Sequence, residues 1–318
     1  MDLTIWVPLG IYLLSERIMR RRDFLTTGAL AVAGARLGVA QTREQKLERI
    51  AIMSLCFSSI LKTPAFPTDK NRTLDVMDLP DMIVDRYGVH YVEMQHSHFL
   101  STETAYLREF RGRMAKAKAK MNQINVEFGP LNISNIDPIR RLETIDLNKK
   151  WVDHAVELGC PRIMVNQGTL APEIRKEAIA TLKVIGDYGK SKKVFITMEN
   201  RGGGAAPANL PPGTPAPYRP TWQDVVEVIK GAGIYANPDV GNFPNEEARH
   251  AGLRVMYTMT SGSSHCHYAP ERYSEADALK IAKEVGYKGL FSIEAGRNNG
   301  PDPYAATQTI LEELIKDI

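Results

Sequence analysis

Short apolar, β-branched runs alternate along most of the chain with longer stretches of helical periodicity. The predicted strands are 50–55, 91–94, 123–128, 162–166, 194–198, 233–236, 263–267 and 289–293. The predicted helices between and after them include 102–119, 147–158, 172–188, 222–230, 246–259, 275–285 and 303–316. Eight such units within residues 41–318 predict an α/β protein that is a single-domain (β/α)8 TIM barrel. An open doubly wound sheet is the alternative, but its G-x-G-x-x-G fingerprint after the first strand is missing.

The N-terminal region has the three zones of an export signal in the expected order. Basic residues including Arg21 and Arg22 precede an apolar stretch over 28–35, and the small residue Ala40 ends the region. The run from Arg21 to Leu25 resembles the twin-arginine pattern R-R-x-F-L. We therefore predict that Met19 is the true start, that residues 1–40 are an N-terminal extension plus a twin-arginine (Tat) signal, and that cleavage follows Ala40. The predicted location is periplasmic or secreted, without a stable membrane anchor after cleavage.

Composition and charge exclude several other classes of protein. The composition is that of an ordinary globular protein, with 43% hydrophobic and 24% charged residues. The formal net charge is only +3, so we expect no nucleic-acid partner. The three cysteines form no C-x-x-C pair, which argues against a zinc ribbon or a disulfide framework.

Acidic and histidine side chains follow four consecutive predicted strands. Glu199 and Asp239 end the fifth and sixth strands, a His-Cys-His run containing His265 and His267 ends the seventh, and Glu294 ends the eighth. In a barrel of this type, the carboxyl ends of the strands build the active site. Three carboxylates and an imidazole at one point would repel one another without a cation, but they suit a hard divalent metal ion. We predict one such ion, with Mn²⁺ favoured and Mg²⁺, Co²⁺ or Zn²⁺ as alternatives.

Further candidate groups follow the second and fifth strands. Glu93, His96 and His98 come in sequence at the barrel rim, where histidines beside a carboxylate suit a general base at neutral pH. We assign a catalytic role to His98 and substrate contacts to Glu93 and His96; a pair of surface-loop histidines is the alternative. Arg201, directly after Glu199, is a candidate for binding substrate hydroxyls.

One long connection interrupts the regular alternation. Residues 199–220 contain three consecutive glycines and six prolines, where such loops usually have about two to six residues. Its position at a strand's carboxyl end favours a lid over the active site. An insertion without a role is the alternative.

The sequence motifs around these strand ends resemble those of a known family. Met198-Glu199-Asn200, Asp239-Val240-Gly241-Asn242, His265-Cys266-His267 and Ile293-Glu294 are similar to motifs of the xylose isomerase-like TIM-barrel superfamily, the sugar phosphate isomerase/epimerase group, over roughly residues 48–316. The resemblance implies the metal ligands Glu199, Asp239, His267 and Glu294. It favours His267 over His265 because the family's ligand is the second histidine of H-x-H. Period-two alternation points His265 inward as well, so His265 is expected to be a substrate contact or a donor that supports the metal ligands. The resemblance also implies that Glu199 and Glu294 act as an acid/base pair on a carbohydrate.

Three positions depart from the family's ketose epimerases. Ala205 replaces a glutamate, Asn242 a histidine and Tyr273 an arginine, so ketose C3-epimerisation as such is not predicted. Asn242 stays a candidate for substrate binding. The predicted function is a metal-dependent sugar isomerase or epimerase that transfers a proton next to a metal-chelated carbonyl. The alternatives are a metal-dependent lyase or dehydratase acting on an oxidised (3-oxo) glycoside or polyol, and a non-catalytic periplasmic carbohydrate-binding barrel. The expected partner is a small-molecule carbohydrate, and the sequence leaves a homo-oligomer open.

Overall fold

Eight parallel strands form one sheet that curves into a nearly closed barrel in the computed structural model, which describes residues 41–201, 218–296 and 299–318. The strands are β1 (Ile50–Met53), β2 (Tyr91–Gln95), β3 (Lys120–Val126), β4 (Arg162–Val165), β5 (Phe195–Glu199), β6 (Tyr235–Asn237), β7 (Ser263–Cys266) and β8 (Leu290–Ile293). Their order in the sheet is β6-β5-β4-β3-β2-β1-β8-β7. Consecutive strands therefore pair, except β6 with β7, and β1 pairs with β8. The predicted single-domain (β/α)8 barrel is confirmed.

The barrel closes between β6 and β7, just beyond the regular strand pairing. Asp239 and His265 form an isolated parallel bridge there. The His265 amide donates to the Pro238 carbonyl at 2.8 Å, and the Val240 amide donates to the His265 carbonyl at 3.2 Å. Two candidate site residues therefore belong to the closing contact, which fixes their backbones relative to each other.

Helices connect the strands and cover the outside of the barrel. They are α1 (Arg43–Leu47), α2 (Leu79–Tyr87), α3 (Thr104–Lys116), α4 (Pro138–Leu158), α5 (Arg175–Ser191), α6 (Trp222–Ala232), α7 (Glu246–Met256), α8 (Glu275–Glu284) and α9 (Pro303–Asp317). Local signals set several ends: Thr221 forms a capping box at the start of α6, and Gly159 ends α4 in the left-handed conformation. None of the described helices is both long and apolar enough to cross a membrane.

Alternate strand residues face two different environments. Side chains such as Ile124 and Ile163 lie in the apolar core against the helices. On the other face of the strands, Gln123, Thr197 and Asn125 hydrogen-bond to one another inside the barrel, with Thr197 Oγ1 donating to Gln123 Oε1 at 2.9 Å and Gln123 Nε2 donating to Asn125 Oδ1 at 3.3 Å. The period of two along each strand thus separates an apolar outer layer from a polar interior below the rim.

Two predictions fall on residues outside this description. The export region, residues 1–40, and most of the predicted lid, residues 202–217, are not among the described residues. Both stay predictions, as does the domain boundary after Ala40.

Candidate active site

The four predicted strand ends converge at the rim of the barrel. Glu199, Asp239, His265 and Glu294 each present one ligand atom, and these atoms lie within 4.8 Å of one another. Asp239 and His265 are fully buried, while the Glu294 side chain is 20% exposed. Asp239 and His265 therefore form the buried bottom of the group, and Glu294 is the carboxylate that is open to the rim.

Both histidines of the His-Cys-His run reach these carboxylates. His265 Nδ1 lies 3.3 Å from Glu294 Oε2 and 3.7 Å from Glu199 Oε1. His267 Nε2 lies 2.8 Å from Asp239 Oδ2 and 3.5 Å from Glu294 Oε2, and its side chain is partly exposed. The compact group of four ligand atoms contains His265 where the family resemblance assigns His267. The choice of His267 as the ligand stays a prediction.

Glu93 on β2 lies beneath the centre and holds His265. Its Oε1 is 2.6 Å from His265 Nε2, and both side chains are fully buried. Glu93 also accepts hydrogen bonds from Asn122 Nδ2 at 2.9 Å and from Gln123 Nε2 at 3.1 Å. Because all three partners act as donors, the site needs an acceptor with both oxygens available, which is an ionised carboxylate. The predicted contact of Glu93 with substrate stays a prediction.

The arrangement fits a divalent cation. His265 Nδ1 is buried and makes no hydrogen bond of good geometry among the described residues, although Glu294 Oε2 lies 3.3 Å away. Glu93 engages the other ring nitrogen. Burial lowers the pKa of His265, but the Glu93 and Glu199 carboxylates raise it well above its ordinary value, so the ring carries both protons when no cation is bound. A bound divalent cation would take the place of the Nδ1 proton. A carboxylate that orients a histidine, as Glu93 does, is a common feature around protein metal ions. Oxygen and imidazole donors within one small volume are the ligands that Mn²⁺ or Mg²⁺ accept, although the donor set does not choose between them.

The pKa values of Glu199 and Asp239 are shifted in opposite directions. Burial, together with repulsion from Asp239 and Glu294, raises the pKa of Glu199 to about 8. Burial acts in the same direction on Asp239, but the His267 charge and hydrogen bond outweigh it and hold the pKa of Asp239 below its usual range. Burial lowers the pKa of His267, yet the Asp239 carboxylate raises it to about 10 overall. In the metal-free protein, Glu199 therefore holds its proton up to a higher pH than a free glutamate side chain, while Asp239 stays charged.

Two predicted substrate-binding residues instead contact Glu199. Arg201 Nε donates to Glu199 Oε2 at 2.6 Å, and Asn242 Nδ2 donates to Glu199 Oε1 at 2.8 Å. Arg201 also pairs with Glu127 on the loop after β3. These contacts fix the Glu199 carboxylate from two sides, and the predicted substrate contacts of Arg201 and Asn242 stay predictions.

The two histidines after β2 are packed rather than exposed in a surface loop. His98 is buried, and its Nδ1 lies 2.9 Å from Ser54 Oγ. Burial, with the nearby His96 and Arg72 charges, lowers the pKa of His98 to about 4, so its ring is neutral at pH 7. His96 lies edge-on to Trp151, and burial lowers its pKa as well. Both rings are therefore fixed in place and uncharged near neutral pH.

Sequence reasoning missed the residues that connect the strands below the rim. Asn200 accepts from the Asp239 amide at 2.7 Å through Oδ1 and donates to the Asp239 carbonyl at 3.0 Å, which ties the end of β5 to the end of β6. Asn122 and Gln123 support Glu93 from β3. A signal was present, since Asn122 and Gln123 are consecutive amides in a strand that is buried from its second residue onward.

A cavity of about 660 Å³ borders the centre on the side of β1 and β2. His98, His267 and Glu294 line it, together with residues of the loop that follows β1. A second cavity of about 440 Å³ lies on the other side of His267, lined by Asn242 and Tyr268 among others. Glu294 and His98 thus face one shared space that can hold a small polar molecule.

The family can be decided by comparison with known proteins. The sequence profile described as "Xylose isomerase-like TIM barrel" matches residues 83–315, which is more than half of the chain. The chain belongs to the xylose isomerase-like TIM-barrel family. The family resemblance expected from the motifs is therefore confirmed, whereas the export signal is not.

Solved structures of this family share the fold at low sequence identity. A D-allulose 3-epimerase from Methylomonas sp. is 13% identical, with a TM-score of 0.63 over 85% of this chain and 98% of that chain. The 3-keto-D-glucoside 4-epimerase from E. coli is 14% identical, with a TM-score of 0.62 over 84% and 99%. A xylose isomerase domain protein from Planctomyces limnophilus is 16% identical, with a TM-score of 0.55 over 74% and 90%. A search of curated proteins found no match.

Proposed function

We propose that this protein is a metal-dependent sugar isomerase or epimerase. The observation that carries the proposal is the convergence of Glu199, Asp239, His265 and Glu294, with His267 beside them, at the carboxyl end of the barrel. Structural neighbours that include sugar epimerases support the substrate class. A bound divalent ion would polarise a substrate carbonyl and so make the adjacent carbon-bound proton more acidic.

The chain's own residues would hold and move that proton. Glu294 borders the cavity, so its carboxylate is placed to accept a proton from a sugar carbon. Glu199, the other glutamate of the centre, is assigned in this proposal to return a proton to the substrate. Arg201 and Asn242 fix the Glu199 carboxylate, and Glu93 fixes His265. The neutral ring of His98 lines the same cavity, where it can hydrogen-bond to the substrate; its catalytic role stays a prediction.

Solvent deuterium incorporation tests the proposal directly. The Mn²⁺-loaded protein is incubated in D₂O with a panel of ketoses, aldoses and 3-oxo-glycosides, and the sugars are followed by mass spectrometry. Isomerisation or epimerisation predicts a gain of one deuterium without loss of the carbon skeleton. The Glu294→Gln variant should lose this exchange by at least a hundredfold. Glu143→Gln, which changes an exposed ion pair with Arg140, is the matched control.

The same experiment separates the alternatives. Fragmentation of a 3-oxo-glycoside would replace the proposal with a lyase, and sugar binding without exchange over the whole panel would favour a non-catalytic barrel. The comparisons give no support to a lyase. Full exchange in Glu294→Gln with Mn²⁺ still bound would refute the acid/base assignment.

We also propose export through the twin-arginine pathway, on the pattern of Arg21, Arg22, Phe24 and Leu25. Such a route carries folded proteins, so a metal could be loaded before export. The substrate would then be a carbohydrate outside the cytoplasm.

A further inference from the structure

The cavity beside the centre is larger than one sugar ring requires. Its volume is about 660 Å³. A hexose occupies on the order of 200 Å³ and a disaccharide on the order of 350 Å³ at the packing density of organic solids. The lining includes His267 and Glu294 from the centre, but also Thr63, Ala65 and Phe66 from the loop after β1. With one ring at the centre, the cavity therefore still has space for a second group toward this loop.

Phe66 presents an aromatic surface in that remaining space. The residue is 52% exposed, although it borders a cavity. The Arg72 guanidinium lies 4.0 Å from the ring centroid and covers one face of the ring. The rest of the ring is available for contact, and the C–H face of a pyranose is an apolar surface that suits an aromatic ring.

Arg72, which lies over this ring, is itself anchored. Its Nη1 donates to the carbonyls of Ser58 at 2.5 Å and Leu61 at 2.8 Å, and its Nε lies 3.3 Å from Asp69 Oδ2. The Arg72 side chain is only 11% exposed. An anchored guanidinium on one face restricts the positions open to the ring, so less freedom is lost when a ligand binds the ring.

We propose that Phe66 is a stacking platform for a second sugar unit and that the substrate class is a glycoside or disaccharide rather than a free monosaccharide. This inference rests on the proposed function, because it takes the reacting ring to lie at the Glu294 side of the cavity. In this arrangement the second ring, or a comparable aglycone, lies against Phe66. Phe66 is then a specificity-determining residue that takes no part in proton transfer.

Calorimetry on the Mn²⁺-loaded full chain tests the platform independently of turnover. The probes are glucose, methyl β-glucoside, cellobiose, maltose and lactose. We expect at least one disaccharide to bind about tenfold more tightly than glucose, which is near the upper end of what one aromatic contact contributes. Phe66→Ala should remove this preference and leave glucose binding unchanged, whereas Phe66→Trp should retain it.

Phe195→Ala is the matched control, since Phe195 is an exposed aromatic residue that begins β5 at the opposite end of the barrel. Equal affinities for glucose and every disaccharide, or the same preference in Phe66→Ala as in Phe195→Ala, would overturn the inference. If free monosaccharides exchange deuterium but Phe66→Ala leaves the affinity for disaccharides unchanged, the proposed function stands and the platform is overturned. If a disaccharide is preferred through Phe66 but no sugar exchanges deuterium, the platform stands and the proposed function is overturned.

Discussion

Replacing Glu93 by glutamine tests how much the buried support beneath the centre contributes. Glutamine has nearly the same shape as glutamate but offers one acceptor oxygen and one donor nitrogen. Glu93 accepts from His265 Nε2 at 2.6 Å, Gln123 Nε2 at 3.1 Å and Asn122 Nδ2 at 2.9 Å. Whichever way the new amide is oriented, its nitrogen faces at least one of these donors.

The expected loss follows from the number and type of these contacts. A hydrogen bond to a charged group contributes about 1.5–3 kcal/mol, and breaking one partner of a buried pair costs about 3–5 kcal/mol. All four side chains are fully buried, so water cannot replace the lost acceptor. We therefore expect Glu93→Gln to lower the free energy of unfolding by about 3 kcal/mol. Because the imidazole of His265 is no longer fixed, metal affinity should also fall about 10- to 100-fold.

Urea unfolding of the metal-free protein at pH 7, followed by circular dichroism, measures the first quantity. Titration with Mn²⁺ in a calorimeter measures the second. Glu284→Gln, which removes an exposed ion pair with Arg254, is the control and should change stability by less than about 0.5 kcal/mol. If Glu93→Gln matched that control in both measurements, the view of Glu93 as the buried support of His265 would be refuted.

Three further predictions concern other parts of the chain. The pKa of His98 is about 4 in the folded state, below its ordinary value of 6.5. As the pH falls, the unfolded state therefore takes up the proton first. The free energy of unfolding should fall by up to about 3 kcal/mol as the pH drops from 6.5 toward 4. His98→Asn should show a flatter pH dependence in urea unfolding over that range, and parallel curves would contradict the burial argument. Gly168 has φ +67°, and a Cβ there would lie 2.1 Å from Asn132 Oδ1, so Gly168→Ala should lower the thermal midpoint, at a cost of about 2 kcal/mol or more. Gly112→Ala, in α3 with nothing within 4 Å, should instead be neutral or stabilising by about 0.5–1 kcal/mol, and equal midpoints for the two variants would be inconsistent with this difference. For export, replacing Arg21 and Arg22 together by lysine should keep the protein in the cytoplasm in a fractionation experiment, whereas unchanged export would exclude the twin-arginine route.

The sequence by itself determined the fold, because the strand, the helix and the turns of each barrel unit have signals in the local sequence. Every strand carries a short buried run, and the turns between units have their own signals, such as the capping box at Thr221 and the left-handed Gly159. The pattern failed where apolar residues do not face a core. The first turns of α4 carry exposed Ile139 and Leu142, so the periodicity there does not identify a helix and its predicted start was nine residues late.

The four strand-end residues could also be predicted from the sequence, because parallel strands in a closed barrel must end at the same rim. What surrounds them could not. Period-two alternation points both His265 and His267 inward, and only the tertiary structure places Glu93 beneath one and Asp239 beside the other. These partners lie 172 and 28 residues away in the chain, and no local signal records such distances. The depth of a side chain in the barrel depends on strand register and closure, which are properties of the whole sheet. This depth decides which histidine lies among the buried carboxylates and which is partly exposed.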